Sequence, residues 1–179
     1  MRERFGGGTR SPLTSVGTRA RRGATPPEGD GQPMPNPVQF RASAVVVHEG
    51  RVLLVAGRKA AGHWLPPGGH VEFHEGAADA AAREAFEETG VRVRTTRLIG
   101  WRQVWWDDAD ALELYFAAEL VAGSDSAGDA DHGWQWAEVA QLPDLNVLPE
   151  ELAGLCELAS AGCERVVQLG AVELKGRKA

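Results

Sequence analysis

The stretch that decides the fold is Gly69–Val91, GHVEFHEGAADAAAREAFEETGV. Its residues 77–89 are rich in alanine and glutamate, which favour a helix, and Gly90 follows where a left-handed helix cap is expected. The preceding segment, Trp64–Gly69, contains two prolines and two glycines, which oppose regular structure. The pattern therefore predicts an irregular loop that leads into a helix over residues 77–89.

Three acidic side chains share one face of this predicted helix. At about 100° per residue, Glu84, Glu87 and Glu88 fall on one arc of the helical wheel. The opposite arc, which we expect to pack against a sheet, carries Ala78, Ala82, Ala85, Phe86 and Thr89. The three carboxylates repel each other, and Mg²⁺ or Mn²⁺, which prefer hard oxygen ligands, would relieve that repulsion. The alternative is a solvated helix face with local pairing to Arg83.

Strand-like segments surround the helix on both sides. Upstream, residues 39–47 and 52–55 predict a buried hairpin with Glu49–Gly50 as its turn. Downstream, strands are predicted over residues 91–101, 103–107, 112–121 and 134–139, with a turn at 107–110 and an amphipathic helix over 149–161. This order predicts an α/β or α+β sandwich with the sheet in the middle.

The composition favours one globular domain behind a basic tail. The chain has 179 residues, of which 43% are apolar, enough for one substantial core. Residues 1–37 lack apolar periodicity and are predicted to be a disordered tail, within which Met34 is an alternative start. Residues 1–33 carry six arginines and three acids, so the net charge of −6 leaves −9 for the remainder. That acidic body argues against a stable complex with nucleic acid.

The sequence also bears on location and redox chemistry. No apolar run approaches the roughly 20 residues needed to cross a bilayer, and no apolar segment follows the arginine-bearing start. We therefore expect a soluble, cytoplasmic protein without a membrane contact, either a monomer or a homodimer. Cys156 and Cys163 have no metal-ligand spacing around them and are expected to line the core.

The charged positions and glycines form one spaced array. The stretch Gly69-x5-Glu75-x7-Arg83-Glu84-Ala85-x-Glu87-Glu88-x-Gly90-Val91 resembles the complete Nudix box, the signature of Nudix hydrolases. Ala85 departs from the family pattern, which asks for a bulky aliphatic residue there, a difference that affects packing rather than chemistry. The resemblance implies the Nudix fold, a central mixed β-sheet flanked by helices, over residues 38–165, with residues 166–179 as a C-terminal extension.

The resemblance also implies a metal site. Glu84, Glu87 and Glu88 would bind Mg²⁺, or Mn²⁺ in its place, together with the backbone carbonyl of Gly69. Glu75 would be a further carboxylate of the site, and Arg83 would orient the metal ligands through charge-assisted hydrogen bonds.

The implied reaction is hydrolysis of a diphosphate linkage in a nucleoside diphosphate linked to another moiety. The general base would be Glu87 or Glu88, or an acid from the loop over residues 123–133. Asp129 and Asp131 are the candidates in that loop, and Asp131 is also a candidate for substrate contact.

Further candidates for contact with a small nucleotide-like diphosphate lie outside the box. Arg41 and Arg58 are placed to reach phosphates, and Trp105 offers a flat apolar face to a base. Trp105 and its neighbour on the same strand must point to opposite sides, so at most one faces a given pocket. Three histidines, His63, His70 and His74, surround the glycine loop, and their spacing favours loop packing over zinc binding.

Two other functions remain open. A Nudix-fold sensor would bind a nucleotide without cutting it, although the intact acidic set speaks against this and the tail shows no helix-turn-helix pattern. A structural protein with a solvent-facing acidic helix would not change its stability on addition of Mg²⁺. The sequence does not identify the substrate.

Overall fold

A computed structural model describes residues 38–58, 60, 62–106, 109–121, 133–162 and 164–174. All of these lie in one compact unit, residues 34–179. The predicted tail, Cys163 and the loop acids Asp129 and Asp131 fall outside the described residues. Within the described residues, no helix is long and apolar enough to cross a membrane.

The chain forms nine strands, two α-helices and one 3₁₀-helix within the described residues. In chain order they are β1 (Gln39–His48), β2 (Arg51–Ala56), β3 (Trp64–Leu65), β4 (Gly68–His70), α1 (Ala77–Thr89), β5 (Val93–Trp106), β6 (Ala109–Leu120), β7 (Trp134–Glu138), the 3₁₀-helix (Val139–Asp144), α2 (Leu152–Ala161), β8 (Val167–Gln168) and β9 (Val172–Leu174).

The predicted hairpin of β1 and β2 is confirmed. Its turn residues, Glu49 and Gly50, both have positive φ values of 49° and 77°, as the primed two-residue turns that match strand twist require. Val47 pairs with Val52, and His48 pairs with Arg51, directly before and after the turn. The two strands are apolar along much of their length because helices cover the sheet on both faces.

The sheet is mixed. β1 pairs in parallel with β6 and antiparallel with β2 and β4, while β6 pairs antiparallel with β5. β2 also pairs antiparallel with β3 and β7, and β8 and β9 extend the opposite edge by pairing in parallel with β5. The α+β architecture predicted from the order of elements is therefore confirmed.

Each helix covers its own apolar cluster. Helix α1 packs against β1 through a cluster of small residues that includes Ala42, Ala44, Ala80, Ala81 and Ala85. Helix α2 supplies Leu152, Leu155 and Cys156 to a second cluster with Val45, Leu54, Ile99 and Tyr115. Full burial of a leucine side chain contributes about 2 kcal/mol, so α2 is held mainly by its two leucines.

The face that helix α1 turns to the sheet agrees with the wheel prediction at Ala85 and Thr89 but not at the other three positions. Its buried residues are Ala80, Ala81, Ala85 and Thr89, whereas Ala78 and Ala82 are half-buried. The prediction that Phe86 packs against the sheet is wrong, because its side chain is 45% exposed and lies under the Arg92 guanidinium, 5.2 Å from ring centroid to Cζ. Small alanines allow closer approach to β1 than a phenylalanine would. The packed face therefore lies beside the carboxylates.

Three element boundaries also differ from the sequence prediction. β5 runs without a break through residue 102, where two strands were predicted, and it absorbs irregularity by register shifts at Thr95/Arg97 and Leu98/Gly100. Short strands form within the predicted irregular loop, at Trp64–Leu65 and Gly68–His70, because β2 and β1 supply partners for their backbones. Helix α2 begins at Leu152, after a turn in which the Leu152 N–H donates to the Pro149 carbonyl.

Candidate active site

A pocket of about 360 Å³ opens beside α1 and β4, a volume within the range of small-molecule sites. Its charged lining residues are Arg41, Arg58, Glu84, Glu88, Arg102 and Glu113. Its apolar lining includes Val55, Leu65, Pro66 and Val104. The pocket therefore combines acids, arginines and an apolar wall.

Two glycines bring the acidic helix against the sheet. A Cβ on Gly68 would lie 2.5 Å from the Ala42 carbonyl oxygen and 2.6 Å from the Ser43 Cα. A Cβ on Gly69 would meet the Glu84 carboxylate instead, 2.2 Å from its Oε1. Real Cβ atoms do not approach other atoms so closely, so only glycine fits at Gly68, and only glycine fits at Gly69 while Glu84 keeps its position. The space above Gly69 is occupied by the Glu84 carboxylate.

Arg83 connects four acceptors at the pocket rim. Its Nε and Nη2 donate to the two oxygens of Glu75 at 2.8 and 2.9 Å, and its Nη1 donates to Glu84 at 2.9 Å and to Glu87 at 3.1 Å. Its Nη2 also donates to the His70 carbonyl at 3.0 Å. The hydrogen bond from Arg83 is the main reason that the pKa of Glu75 falls to about 2, helped by the Glu72 N–H. Glu75 in turn raises the pKa of Arg83, so this pair stays charged.

Glu88 has different surroundings. Its Oε2 accepts a hydrogen bond from the Gly68 N–H at 3.0 Å. Burial raises the pKa of Glu88 to about 7, and the charge of Glu84 adds to the rise, while the Gly68 N–H and the distant Arg58 and Arg41 oppose it. Glu87 lies further out, with a 55% exposed side chain, and is not among the pocket-lining residues.

The oxygen donors at this site are of the chemical type that binds a hard divalent cation. Glu84 and Glu88 place carboxylate oxygens beside the Gly68–Gly69 backbone, and oxygen donors of this type suit Mg²⁺ or Mn²⁺. In the part of the chain that the structure describes, no three acidic, histidine or cysteine side chains already converge as a metal cage. Arg83 Nη1 donates to Oε1 of Glu84 and to Oε2 of Glu87, so the bonds to Arg83 occupy one oxygen of each carboxylate.

The predicted substrate contacts separate into three groups. Arg41 and Arg58 both line the pocket, and Arg41 contacts the Gly68 carbonyl at 3.4 Å and His70 Nδ1 at 3.5 Å. Trp105 is 41% exposed and is not among the pocket-lining residues. Asp129 and Asp131 lie outside the described residues.

The sequence prediction missed a buried polar cluster on the sheet side of the pocket. Arg102 and Glu113 are only 3% and 6% exposed, and Ser43 and Tyr115 are buried with them. The sequence did not single out this pair, because β5 contains Arg94, Arg97 and Arg102 and β6 contains Asp110, Glu113 and Glu119. A predicted turn at residues 107–110 would pair Arg102 with residue 115, whereas β5 and β6 pair it with Glu113. The predicted register thus differs from the observed one by two residues, which hid the pair.

Comparison with known proteins decides the family. A family model for the NUDIX domain matches residues 38–155. The chain belongs to the Nudix family. Members of the Nudix family are hydrolases that act on diphosphate bonds and generally use divalent metal ions. The resemblance found in the box is thereby confirmed.

Two curated Nudix relatives illustrate the similarity. A Bacillus subtilis (strain 168) protein, provisionally named 8-oxo-dGTP diphosphatase, is 32% identical over 103 residues, which cover 57% of this chain and 68% of the relative. Rat diphosphoinositol polyphosphate phosphohydrolase 2 is 46% identical over 52 residues, which cover 29% of each chain. This chain thus spans less than a third of the rat protein, and the two names differ in substrate.

Solved structures support the Nudix fold. The MutT protein from Bacillus halodurans matches with a TM-score of 0.58 and 20% identity, covering 74% of this chain and 90% of that one. A UDP-X diphosphatase matches with a TM-score of 0.60 and 18% identity, covering 78% and 71%. At these identities the similarity shows the fold alone.

Proposed function

We propose that this protein hydrolyses a diphosphate linkage in a nucleoside diphosphate linked to another moiety, with Mg²⁺ as its cation and Mn²⁺ as a substitute. The observation that carries the proposal is the placement of Glu84 and Glu88 against Gly68 and Gly69 in a pocket that also contains two rim arginines. Acids that hold a cation and arginines that hold phosphates are the two requirements for binding a diphosphate.

The charge of the pocket favours a nucleotide over a polyphosphorylated ring. Its described lining contains three arginines, Arg41, Arg58 and Arg102, and three glutamates, Glu84, Glu88 and Glu113. Such a balanced set offers little attraction to a compound that bears phosphates all around it. The apolar lining of the pocket, which includes Val104 on β5, suits the flat face of a base. We therefore assign the substrate to the nucleotide class rather than to the diphosphoinositol class.

We assign each residue a role in this reaction. Arg41 and Arg58 bind the phosphate oxygens, and Glu84, Glu87, Glu88 and the Gly69 carbonyl would hold the cation. Arg83 and Glu75 orient the carboxylates. When bound, Mg²⁺ supplies positive charge against the diphosphate and lowers the pKa of water.

Glu88 is the better placed of the two candidate bases. It lines the pocket, whereas Glu87 is exposed and paired with Arg83. Glu88 accepts a proton as the water oxygen bonds to phosphorus, the bond from that phosphorus to the bridging oxygen breaks, and the phosphate-bearing product leaves with the bridging oxygen. The reaction is a hydrolysis with no second acceptor substrate.

The test is a product assay on the purified 179-residue chain. Nucleoside triphosphates, sugar nucleotides, ADP-ribose, dinucleoside polyphosphates and a diphosphoinositol polyphosphate are incubated with and without Mg²⁺, and products are identified by mass. We expect metal-dependent cleavage of a nucleotide and reduction by orders of magnitude in Glu87→Gln and Glu88→Gln. Glu72→Gln, at an exposed glutamate outside the pocket lining, is the matched control.

Other outcomes separate the rivals. Cleavage of the diphosphoinositol compound alone would overturn the nucleotide assignment. Tight binding of a nucleotide by folded protein without any cleavage would instead support the sensor. Near-normal turnover in both box variants would contradict the assignment of the cation site to Glu87 and Glu88.

A further inference from the structure

Arg102 and Glu113 form a buried ion pair on the sheet wall of the pocket. The residues face each other on β5 and β6, and Arg41 on β1 is the next partner in the same row. The guanidinium donates from Nε to Glu113 Oε2 at 3.1 Å, and its Nη2 lies 3.0 Å from the same oxygen in an ion pair. Both residues line the pocket although each is more than nine-tenths buried. The pair is therefore desolvated yet faces the space where a ligand would bind.

Both carboxylate oxygens of Glu113 accept hydrogen bonds from the protein. Its Oε2 also accepts from the Tyr115 hydroxyl at 2.8 Å, and its Oε1 accepts from the Ser43 hydroxyl at 3.2 Å. Three hydrogen bonds thus fix the carboxylate, which in turn fixes the guanidinium. Glu113 is therefore a positioning residue.

Arg102 retains donors. A guanidinium has five N–H groups, and within the described residues Arg102 contacts Glu113 only through Nε, by a hydrogen bond, and through Nη2, by an ion pair. Its side chain lies over the Tyr115 ring at 5.8 Å, which restricts its movement further. The remaining N–H groups belong to a rigid group that lines the pocket.

A buried ion pair is weak evidence for stability, because apolar residues of similar volume often replace one without loss. A pair held by three hydrogen bonds at a pocket wall is better explained by recognition. We propose that Arg102, positioned by Glu113, Tyr115 and Ser43, selects the substrate by donating to an uncharged acceptor, a carbonyl oxygen or ring nitrogen, of its nucleobase. This inference rests on the proposed function and deepens it.

Position and charge both point to the base rather than to the diphosphate. β4 and β5 are separated by β1 and β6, so their backbones lie three strand spacings, about 14 Å, apart. If the diphosphate binds at Glu84, beside β4, the opposite end of the substrate lies near Arg102. Glu113 already balances the charge of Arg102, so an uncharged acceptor satisfies its N–H groups without adding a second anion beside that carboxylate.

The test compares binding of a base-bearing and a base-free ligand. Calorimetry measures the affinity of wild-type protein for the four common nucleoside 5′-monophosphates and for ribose 5-phosphate, all with Mg²⁺. We expect at least one nucleotide to bind more tightly than ribose 5-phosphate. The double variant Arg102→Gln with Glu113→Gln should lose about tenfold in affinity for that nucleotide, and its affinity for ribose 5-phosphate should not change.

The controls keep the result interpretable. Arg94→Gln with Glu119→Gln makes the same two replacements at an exposed cross-strand pair of the same hairpin and should alter neither affinity. Thermal melting checks folding of each variant. If the Arg102/Glu113 double variant does not fold, Arg102→Lys replaces it, because lysine keeps the charge opposite Glu113 and loses the guanidinium donors.

The outcomes distinguish this inference from the proposed function. Equal loss of affinity for both ligands, an unchanged affinity for both, or a wild-type protein that does not prefer any nucleotide over ribose 5-phosphate would overturn the role of Arg102. A wild-type protein that discriminates nucleotides but cleaves none of the diphosphates would overturn the proposed hydrolysis and leave the role of Arg102 intact.

Discussion

The carboxylate of Glu84 lies over the α-carbon of Gly69, in the space where any other residue would place its side chain. A Cβ at Gly69 would be 2.2 Å from Glu84 Oε1 and 2.5 Å from Oε2. Arg83 Nη1 donates a hydrogen bond to the Glu84 carboxylate, and helix α1, which carries both residues, packs against β1 through buried alanines. Because Gly69 on β4 has no side chain, the Glu84 carboxylate of α1 can occupy this space.

Gly69→Ala should reduce turnover by about a hundredfold, the typical consequence of moving a catalytic group by about 1 Å. The fold should survive, because the obstructing atoms belong to the far end of a flexible side chain that can turn aside. Steady-state kinetics and a thermal melt measure the two effects. Gly154→Ala is the control: its Cβ meets nothing within 4 Å, so turnover stays normal and stability rises by about 1 kcal/mol. Normal turnover in Gly69→Ala would contradict the placement of Glu84 in the reaction.

Gly68→Ala should have the opposite profile, with loss of the fold preceding loss of activity. Its Cβ would be 2.5 Å from the Ala42 carbonyl and 2.6 Å from the Ser43 Cα, and these backbone atoms belong to the central strand. We expect a lower melting temperature than for Gly69→Ala, by several degrees or more, because β4 must separate from β1. Equal melting temperatures for the two variants would contradict the close contact between Gly68 and the backbone of β1.

Arg83→Lys tests how the carboxylates are oriented. Lysine keeps the positive charge, but it cannot donate to Glu75, Glu84 and Glu87 at once through a planar fork. We expect a 10- to 100-fold drop in kcat, a range typical for loss of groups that orient metal ligands. Arg51→Lys, at the exposed pair with Glu49, is the control and should behave as wild type. A rise in KM alone, with kcat intact, would mean that Arg83 binds substrate instead.

The sequence correctly predicted the elements that depend on local backbone preferences. The hairpin turn at Glu49–Gly50, the helix over 77–89 and its cap at Gly90 follow from backbone preferences of a few adjacent residues. The grouping of Glu84, Glu87 and Glu88 could also be predicted, because their spacing within one helix is independent of the rest of the fold.

The errors arose where distant parts of the chain meet. A helical wheel gives the angles between side chains, but the packed face of α1 depends on how closely Gly68 and Ala42 let the helix approach. The pairing of Arg102 with Glu113 depends on the exact register of a hairpin, and a shift of the turn by one residue changes every partner. Tertiary packing, rather than local propensity, decided both.

Glu88 provides a prediction for the stability of metal-free protein as a function of pH. Its folded pKa of about 7 lies above the ordinary value of 4.5, mainly because of burial. The folded state therefore holds the proton more tightly than the unfolded state. The stability that this contributes is fully present below pH 4.5 and is lost as the pH rises through 7.

Glu88→Gln resembles the protonated side chain, so without metal it should be more stable than wild type at pH 8, by about 3 kcal/mol at most. The difference should vanish near pH 4.5. Adding Mg²⁺ at pH 8 should raise the melting temperature of wild type but hardly that of the variant, because a cation favours the ionised carboxylate it binds. Glu72→Gln removes the same charge from an exposed glutamate outside the pocket lining and should respond to Mg²⁺ as wild type does. An equal response to Mg²⁺ in Glu88→Gln would exclude Glu88 as a ligand, whereas a stability difference that does not change with pH would contradict the raised pKa.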